Sequence, residues 1–331
     1  MTTSNALPPI EFGAEDDGFH FHLLGDDWWA TETSWFSFHS ADRALGGWLY
    51  TMARPNIGTV AGGAWVWDDT ASLPWEVPYS TNYSALRLPE GADLTNVVLP
   101  TGVAIEVLDA GMSYALGYED PDRLNISLRF DGIMPPEPLI ATHSTFGPAR
   151  HFDQFGHVTG HLDLHGEHID IDCLAMRDRS WGRRREDRPR QGAYVTGAVT
   201  PDHAFLAVTN TTSDADDVAY GFLRRHGLTA PLRHGSRRVE RDTSTGWVVH
   251  VEIDASDTMG RALNAKGSPV SRIILNRHTF IDVNSLMRWQ IDGEVAWGED
   301  QDMWPIHRWS EMRREAGSRV PYNRQAGQLQ P

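Results

Sequence analysis

The sequence predicts an all-β fold in two tandem domains, and three observations carry that prediction. Period-2 alternation of apolar and polar residues recurs along the chain, broken by short stretches rich in Gly, Pro, Asn and Asp. The 331 residues, 40% hydrophobic and 22% charged, suit two domains that each bury a core. The chain also echoes itself: at an offset of 146, Glu32-x-Ser34-Trp35 falls on Asp178-x-Ser180-Trp181. In that register Gly46, Trp48, Leu49 and Pro55 fall on Gly192, Tyr194, Val195 and Pro201. Chance can produce a short echo in a chain of this length. A true duplication demands more, that Trp35 and Trp181 occupy matching environments.

In chain order, His20 and His22 alternate with Phe19 and Phe21, which reads as a strand with the histidines on one face. Residues 124–130 alternate cleanly, and Pro135-Pro136-Glu137-Pro138 reads as a linker. The boundaries that follow are 1–150 for the N-terminal domain, 151–316 for the C-terminal domain and 317–331 for a disordered tail. Residues 161–164 and 169–172 flank His165-Gly166-Glu167-His168 as a hairpin. Residues 247–253 and 286–291 are further strands, the latter turning at Asp292-Gly293. Two helical windows remain, 256–265 with Ser256 as its N-cap, and 306–316. Many short strands at intervals of about ten residues indicate barrels or sandwiches.

Composition excludes several functions. A formal charge of −16 argues against a nucleic-acid partner, which needs a basic face. The one dense basic run, residues 177–190, is interrupted by acids and reads as a solvated loop. Lys266 is the only lysine, which leaves little room for Schiff-base chemistry, and the single cysteine, Cys173, reads as a buried structural thiol. Residues 1–11 lack the pattern of a signal peptide, and no run of about eighteen apolar residues could span a bilayer. These readings predict a cytoplasmic protein. The elbow, dinucleotide, phosphate-loop and zinc-protease signatures are missing.

Three clusters could carry chemistry. Asp178-Arg179-Ser180-Trp181-Gly182 follows a strand and can set a carboxyl group against an indole, which would desolvate it and raise its pKa. An Asp178–Arg ion pair beside a core Trp is the plainer reading. Gly298-Glu299-Asp300-Gln301-Asp302-Met303-Trp304 crowds three acids between Trp297 and Trp304, as a charged active-site rim or a solvated turn. His157, His161 and His165 recur on one strand with Asp163; such histidines are more often solvent-facing than metal ligands. Thirteen tryptophans, more than half of them at or before Trp75, supply material for a core or for an aromatic pocket.

The stretch 161–182, ending Met176-Arg177-Asp178-Arg179-Ser180-Trp181-Gly182, resembles a family of tandem lipocalin-like proteins. Its characterised members are carotenoid 1,2-hydratases, also called hydroxyneurosporene synthases, and fungal hydratases and cyclases. Glu32-Thr33-Ser34-Trp35 and Trp297-Gly298-Glu299-Asp300-Gln301-Asp302 resemble other signatures of that family. The resemblance covers nearly the whole chain and implies two tandem lipocalin-like β-barrels packed together. The hydratases carry a His between acid and Trp, where this chain has Arg179 and Ser180. They also carry a Tyr-x-Asp on the next strand, whereas Tyr194 is followed by Val195 and Thr196. That departure shifts attention to Asp300 or Asp302 as the acid.

The implied activity is a cofactor-independent hydratase or dehydratase acting on an apolar terpenoid- or steroid-like alkene or alcohol. In it Asp178, Asp300 or Asp302 donates the proton, and His157 orients the water. Trp35, Trp181, Trp297, Trp304 and Tyr194 line the substrate site, with no metal and no cofactor. The alternatives are a non-catalytic carrier of a lipophilic small molecule and a duplicated scaffold in a larger assembly. The expected partner is a small lipophilic molecule, with no nucleic acid and no membrane span, and a homodimer stays open.

Overall fold

Three two-residue turns carry the strand pattern into three dimensions. His165-Gly166, His226-Gly227 and Asp292-Gly293 have positive φ at both positions, 52° and 85°, 53° and 74°, and 53° and 88°. That backbone matches the right-handed twist of the flanking strands, and glycine adopts it without steric cost. A computed structural model of the chain describes residues 12–24, 26–139, 150–184, 190–212, 216–277 and 279–319. It divides into two compact units. One comprises residues up to 40, 47–66 and 79–184; the other comprises 41–46, 67–78 and those from 185 on.

The first unit is a curled, open sheet. Its strands are β1 (Ala30–Ser40), β2 (Leu45–Arg54), β3 (Thr59–Trp67), β4 (Tyr79–Arg87), β5 (Asn96–Val98) and β6 (Val103–Asp109). They continue with β7 (Ser113–Asp120), β8 (Leu124–Gly132), β9 (Glu137–Pro138), β10 (Arg150–Leu164) and β11 (Glu167–Arg183). The order across the sheet is β4-β3-β2-β1-β11-β10-β8-β7-β6-β5, with β9 also paired to β10. Strand β1 is buried at every residue although it carries Thr31, Glu32, Thr33 and Ser34, so each of those polar groups needs a partner inside the fold. A four-residue helix, α1 (Phe21–Leu24), stands where alternating Phe and His predict a strand.

The second unit is a closed eight-stranded barrel. Its strands are β12 (Gly192–Thr200), β13 (His203–Thr211), β14 (Asp216–Arg225), β15 (Leu228–Arg241), β16 (Val248–Asp257), β17 (Ala262–Arg277), β18 (Phe280–Ile291) and β19 (Glu294–Pro305). Each pairs antiparallel with the next, and β19 closes on β12. Closure removes the unpaired edges that an open sheet must protect. Phe205 meets Trp289 edge to face at 5.8 Å inside the barrel, amid Val195, Leu223, Ile253 and Met287. A side chain at Gly267 would put its Cβ 2.3 Å from the Trp289 ring, so glycine is what lets the indole lie against the strand. Burying each such large apolar side chain contributes about 1.5–3 kcal/mol.

The expected all-β class with two barrel-like units stands, and three local expectations give way. Residues 256–265, expected as a helix, end β16, turn at 258–261 and begin β17, because the Asp257 carboxylate accepts the N–H groups of Met259 and Arg261 at 2.9 and 2.8 Å. The final helix, α2 (Ile306–Arg319), does form; of the predicted tail, residues 320–331 lie outside the described residues. The Pro-rich stretch contributes an edge strand, β9, where proline is tolerated because no outer neighbour needs its missing N–H. Strands β10 and β11, placed by the sequence reading beyond the 150/151 boundary, pair with β8 and β1 of the first unit.

The residue equivalences of the 146-residue echo are overturned. Glu32 pairs with Trp181 and Trp35 with Asp178 on the neighbouring antiparallel strands β1 and β11. Trp35 and Trp181 therefore point to opposite faces of one sheet. Trp35 meets Trp48 edge to face, whereas Trp181 stacks on His20. The echo records two adjacent strands that share buried polar partners, such as Thr33 Oγ1 and Ser180 Oγ at 2.7 Å. Among the described residues, no helix is long and apolar enough to cross a membrane.

Candidate active site

Antiparallel pairing lines up Glu137 on β9, Asp153 on β10, Asp178 on β11 and Trp35 on β1 in a single cross-strand row. The next row on that face holds His151, Ser180 and Thr33. Directly opposed side chains have Cβ atoms about 4.5–5.5 Å apart, so three carboxyl groups crowd together beside an imidazole. His151 Nε2 lies 3.0 Å from Asp153 Oδ1, and His151, Asp153 and Asp178 each bring a polar atom within 4.8 Å of the other two. Asp153 is fully buried, His151 nearly so, and Glu137 and Asp178 are half-buried.

Three like charges in one row cannot all be held in a low-dielectric site. Burial, reinforced by the Asp153 charge, pushes the Glu137 carboxyl above its ordinary range. Burial alone would hold the His151 imidazole down, but Asp153 and Asp178 outweigh it and raise it. The row thus combines a carboxyl group and an imidazole whose pKa values are both raised with an aromatic wall in which Trp35 packs on Trp48 and Trp48 on Trp65.

The opposite face of these strands is a buried polar network of another kind. Glu32 Oε1 accepts the His20 N–H at 2.6 Å, and its Oε2 lies 3.3 Å from His20 Nδ1 and 3.2 Å from Arg179 Nη2. Arg179 also donates to the carbonyls of Thr33 and Gly18. The His20 ring lies flat on Trp181, 4.0 Å between centroids. Arg177 donates to Gln154 at 2.6 Å, covers the Tyr114 ring at 4.1 Å and lies 3.7 Å from Asp17. Arg177 and Arg179, read from sequence as part of a solvated loop, are both 2% exposed in strand β11. The cause is the buried acids that face them, Asp17 and Glu32; removing either partner would strand an uncompensated charge.

In the second unit, Asp300 and Asp302 face the barrel interior. Asp300 binds Arg237 through both oxygens, at 3.0 and 2.8 Å. Asp302 lies 3.2 Å from Arg237, accepts from Arg241 at 2.7 and 3.0 Å, and takes the Trp304 indole N–H at 2.8 Å. Burial works against the Asp302 charge, yet Arg241 and Arg237 hold its pKa at about 2. Burial raises Asp300 against the pull of Arg237. This is a cluster of ion pairs, with Arg241 over the Trp304 ring at 4.9 Å.

The residues singled out from sequence thus fall in several places. Asp178 and Trp35 share the carboxylate row, while Trp181 lies on the other face of the same sheet. Asp300, Asp302 and Trp304 belong to the barrel's ion cluster. Tyr194 and Trp297 point away from the barrel interior on β12 and β19. His157 lies on β10 with its side chain 46% exposed, 2.6 Å from Asp172. Glu137, His151 and Asp153 were missed. The available signal was His151-x-Asp153 at strand spacing, just after a Pro-rich stretch read as linker. Among the described residues, two groups have spacings that could hold a metal ion: His151, Asp153 and Asp178, and the more exposed His161, Asp163 and His168.

Fold and site together define a class: an all-β protein of one closed barrel and one curled sheet, with an acid–histidine row, buried at Asp153 and His151, on the sheet. The chain belongs to a family described as a domain of unknown function, DUF7064, whose model matches residues 13–306. No curated protein matches it. Its fold is similar to that of an AttH-type protein from Nitrosomonas europaea, with 14% identity, TM-score 0.59, and coverage of 91% of this chain and 98% of that one. It is likewise similar to kievitone hydratase from Nectria haematococca, with 12% identity, TM-score 0.55, and coverage of 94% and 97%. A third similar structure is CghA bound to Sch210972, with 13% identity, TM-score 0.53, and coverage of 83% and 87%. At these identities the likeness establishes the fold.

Proposed function

We propose that the chain is a cofactor-independent hydratase or dehydratase whose acid is the Glu137–Asp153–Asp178 row. The observation that carries this reading is the cross-strand alignment of those carboxyl groups with Trp35, beside a raised His151. In the hydration direction the neutral Glu137 carboxyl gives its proton to one alkene carbon, and the π electrons form the new C–H bond. The adjacent carbon becomes cationic and is stabilised by the indole face of Trp35. Water attacks that carbon, and its extra proton passes to Asp178 or Asp153, returning to Glu137 to close the cycle. Dehydration is the reverse. The fully ion-paired Asp300 and Asp302 are poorer donors, since releasing either from its arginines costs the pairing.

A terpenoid- or steroid-like substrate is in keeping with the aromatic wall, with the carotenoid-hydratase resemblance and with the hydratase among the structural neighbours. The proposal includes a small lipophilic substrate and a cytoplasmic location. The competing reading is a lipophile carrier, which needs the indoles of Trp35 and Trp48 but no titrating row. Incubation with a panel of terpenoid and steroid alkenes and alcohols, followed by mass spectrometry, separates the two. Turnover shows as gain or loss of one water. It should vanish in Glu137→Gln and Asp178→Asn variants whose circular dichroism matches the wild type. Tight binding with no mass change across the panel would favour the carrier.

A further inference from the structure

The hairpin of β10 and β11 carries a second group of titratable side chains, at the end remote from the acid row. His161 stands opposite Asp170 and Asp163 opposite His168, in two neighbouring cross-strand pairs on one face. Leu162, Leu164, Ile169 and Ile171 are buried on the other face. The four polar residues therefore point outward, with His161 and Asp163 half-buried and His168 and Asp170 exposed. Positive φ at His165 and Gly166 closes the turn between the strands and fixes this register. Asp163 lies ten positions along β10 from Asp153, roughly 33 Å at about 3.3 Å per residue.

His161, Asp163 and His168 each bring a nitrogen or oxygen atom within 4.8 Å of the other two. His168 Nδ1 lies 2.7 Å from Asp163 Oδ1, and its Nε2 lies 3.3 Å from Asp170 Oδ1. The His161 and His168 rings lie side by side, 4.7 Å between centroids and tilted by 35°. A simple ion cluster would account for the carboxylates around His168 but not for the second imidazole, since two protonated rings repel each other. Nor are these acids neutralised as others on the chain's surface are, where Glu252 is held by Arg238 and Lys266. Among the described residues, Asp163 and Asp170 form ion pairs with His168 and with no arginine or lysine. The adjoining strand β8 adds only neutral Asn125 and Ser127, opposite Asp163 and His161.

We propose that His161, Asp163 and His168 bind a divalent transition-metal ion, zinc, with water completing a four-coordinate site. Two imidazole nitrogens and a carboxylate oxygen suit an ion of intermediate softness, whereas calcium and magnesium prefer oxygen donors alone. His168 coordinates through Nδ1, the nitrogen that faces Asp163, while its Nε2 donates to Asp170. A carboxylate behind a ligating imidazole fixes the ring's tautomer and makes it a better donor. The ion takes the place of the proton between His168 and Asp163, so that both become ligands. Paired strands beside a tight turn hold the three side chains close together beforehand, so little chain ordering opposes binding. The site stands independently of the acid row and of the reaction proposed for it.

Calorimetric titration of the full-length, untagged protein with zinc chloride tests this. The wild type should bind zinc saturably, and an excess of calcium should not compete. His161→Ala and His168→Ala should each weaken binding by about a hundredfold or more, and Asp170→Asn by about tenfold. His157→Ala, on the same face but outside the cluster, should bind zinc as the wild type does. All four side chains point outward, so the circular dichroism of each variant without zinc should match the wild type. In the zinc-loaded wild type, the ring-nitrogen NMR signals of His161 and His168 should move. The proposal is overturned if zinc does not saturate the wild type by about 1 mM, or if calcium competes, which would leave only an acidic surface. It is equally overturned if binding survives in both His161→Ala and His168→Ala, which would place the ion elsewhere, as at His151, Asp153 and Asp178.

Discussion

Replacing Arg237 by methionine would test how far the barrel's stability depends on one buried charge. The guanidinium is 1% exposed and serves three carboxylates: Asp216 at 2.7 Å, Asp300 at 2.8 Å and Asp302 at 3.2 Å. Those acids raise Arg237 well above its ordinary range against the opposing effect of burial, so it stays charged at any working pH. A unit pair at 2.8 Å interacts with about 6 kcal/mol at an effective dielectric constant near 20. Part of that is offset by desolvation, and breaking a buried pair by deleting one partner costs about 3–5 kcal/mol. Methionine fills most of the volume, so little of the loss would come from a cavity. At roughly 2–4 °C per kcal/mol for a domain of this size, the melting temperature should fall by about 6–20 °C at pH 7.

The pH dependence of that loss sharpens the test. Without Arg237, burial and the Asp302 charge raise the Asp300 carboxyl (0% exposed) above its ordinary value of 3.8 with less to oppose them. The folded variant then binds more protons than the unfolded chain, and its stability drops as pH rises through that window. The gap between wild type and variant should therefore be widest near pH 7 and narrow toward pH 5, measured by calorimetry or near-ultraviolet circular dichroism. Adding Asp300→Asn should recover at least half of the loss at pH 7. A loss below about 1 kcal/mol at pH 7, or one that grows as pH falls, would refute the assignment of Asp300 and Arg237 as a structural pair.

Other expectations follow from the same physics. His151 should titrate above its ordinary 6.5 by NMR, and Asp153→Asn should lower the midpoint; its stabilising share is complete below 6.5 and fades as pH rises through the folded value. A wild-type midpoint at or below 6.5 would remove the imidazolium from the site. Asp282, at about 7 against an ordinary 3.8, should make the protein lose up to about 4 kcal/mol of stability between pH 4 and 7. Asp282→Asn should flatten that stretch of the curve, and a variant profile parallel to the wild type would contradict the shift. Chelators should leave turnover unchanged, because proton transfer through the carboxylate row needs no metal; loss of activity restored by zinc would reassign His151, Asp153 and Asp178 as ligands.

Much of the local structure was legible in the chain. Alternation marked strands at 124–130, 247–253 and 286–291, and His165-Gly166 and Asp292-Gly293 marked turns, because period and turn chemistry are local properties. Legibility failed where long-range pairing overrode local signals. Arg177 and Arg179 look solvated in sequence, since no local pattern reveals that Glu32 and Asp17, far away in the chain, will neutralise them. Of the acid row, Asp178 and Trp35 stood out as motif residues, while Glu137 was hidden behind neighbouring prolines.

What the sequence determined by itself was the all-β class, the strand periods, and the abundance of tryptophan and acid from which a dry titrating site can be built. Only the tertiary structure decided which acids meet. Cross-strand register brought Glu137, Asp153 and Asp178 abreast, and pleat parity put Trp35 on their face and Trp181 on the other. Arginines on one strand of the barrel turned Asp300 and Asp302 into ion-pair partners. The physical reason is that a carboxyl group's chemistry depends on its burial and its neighbours' charge, and in a sheet those neighbours come from strands distant in the chain.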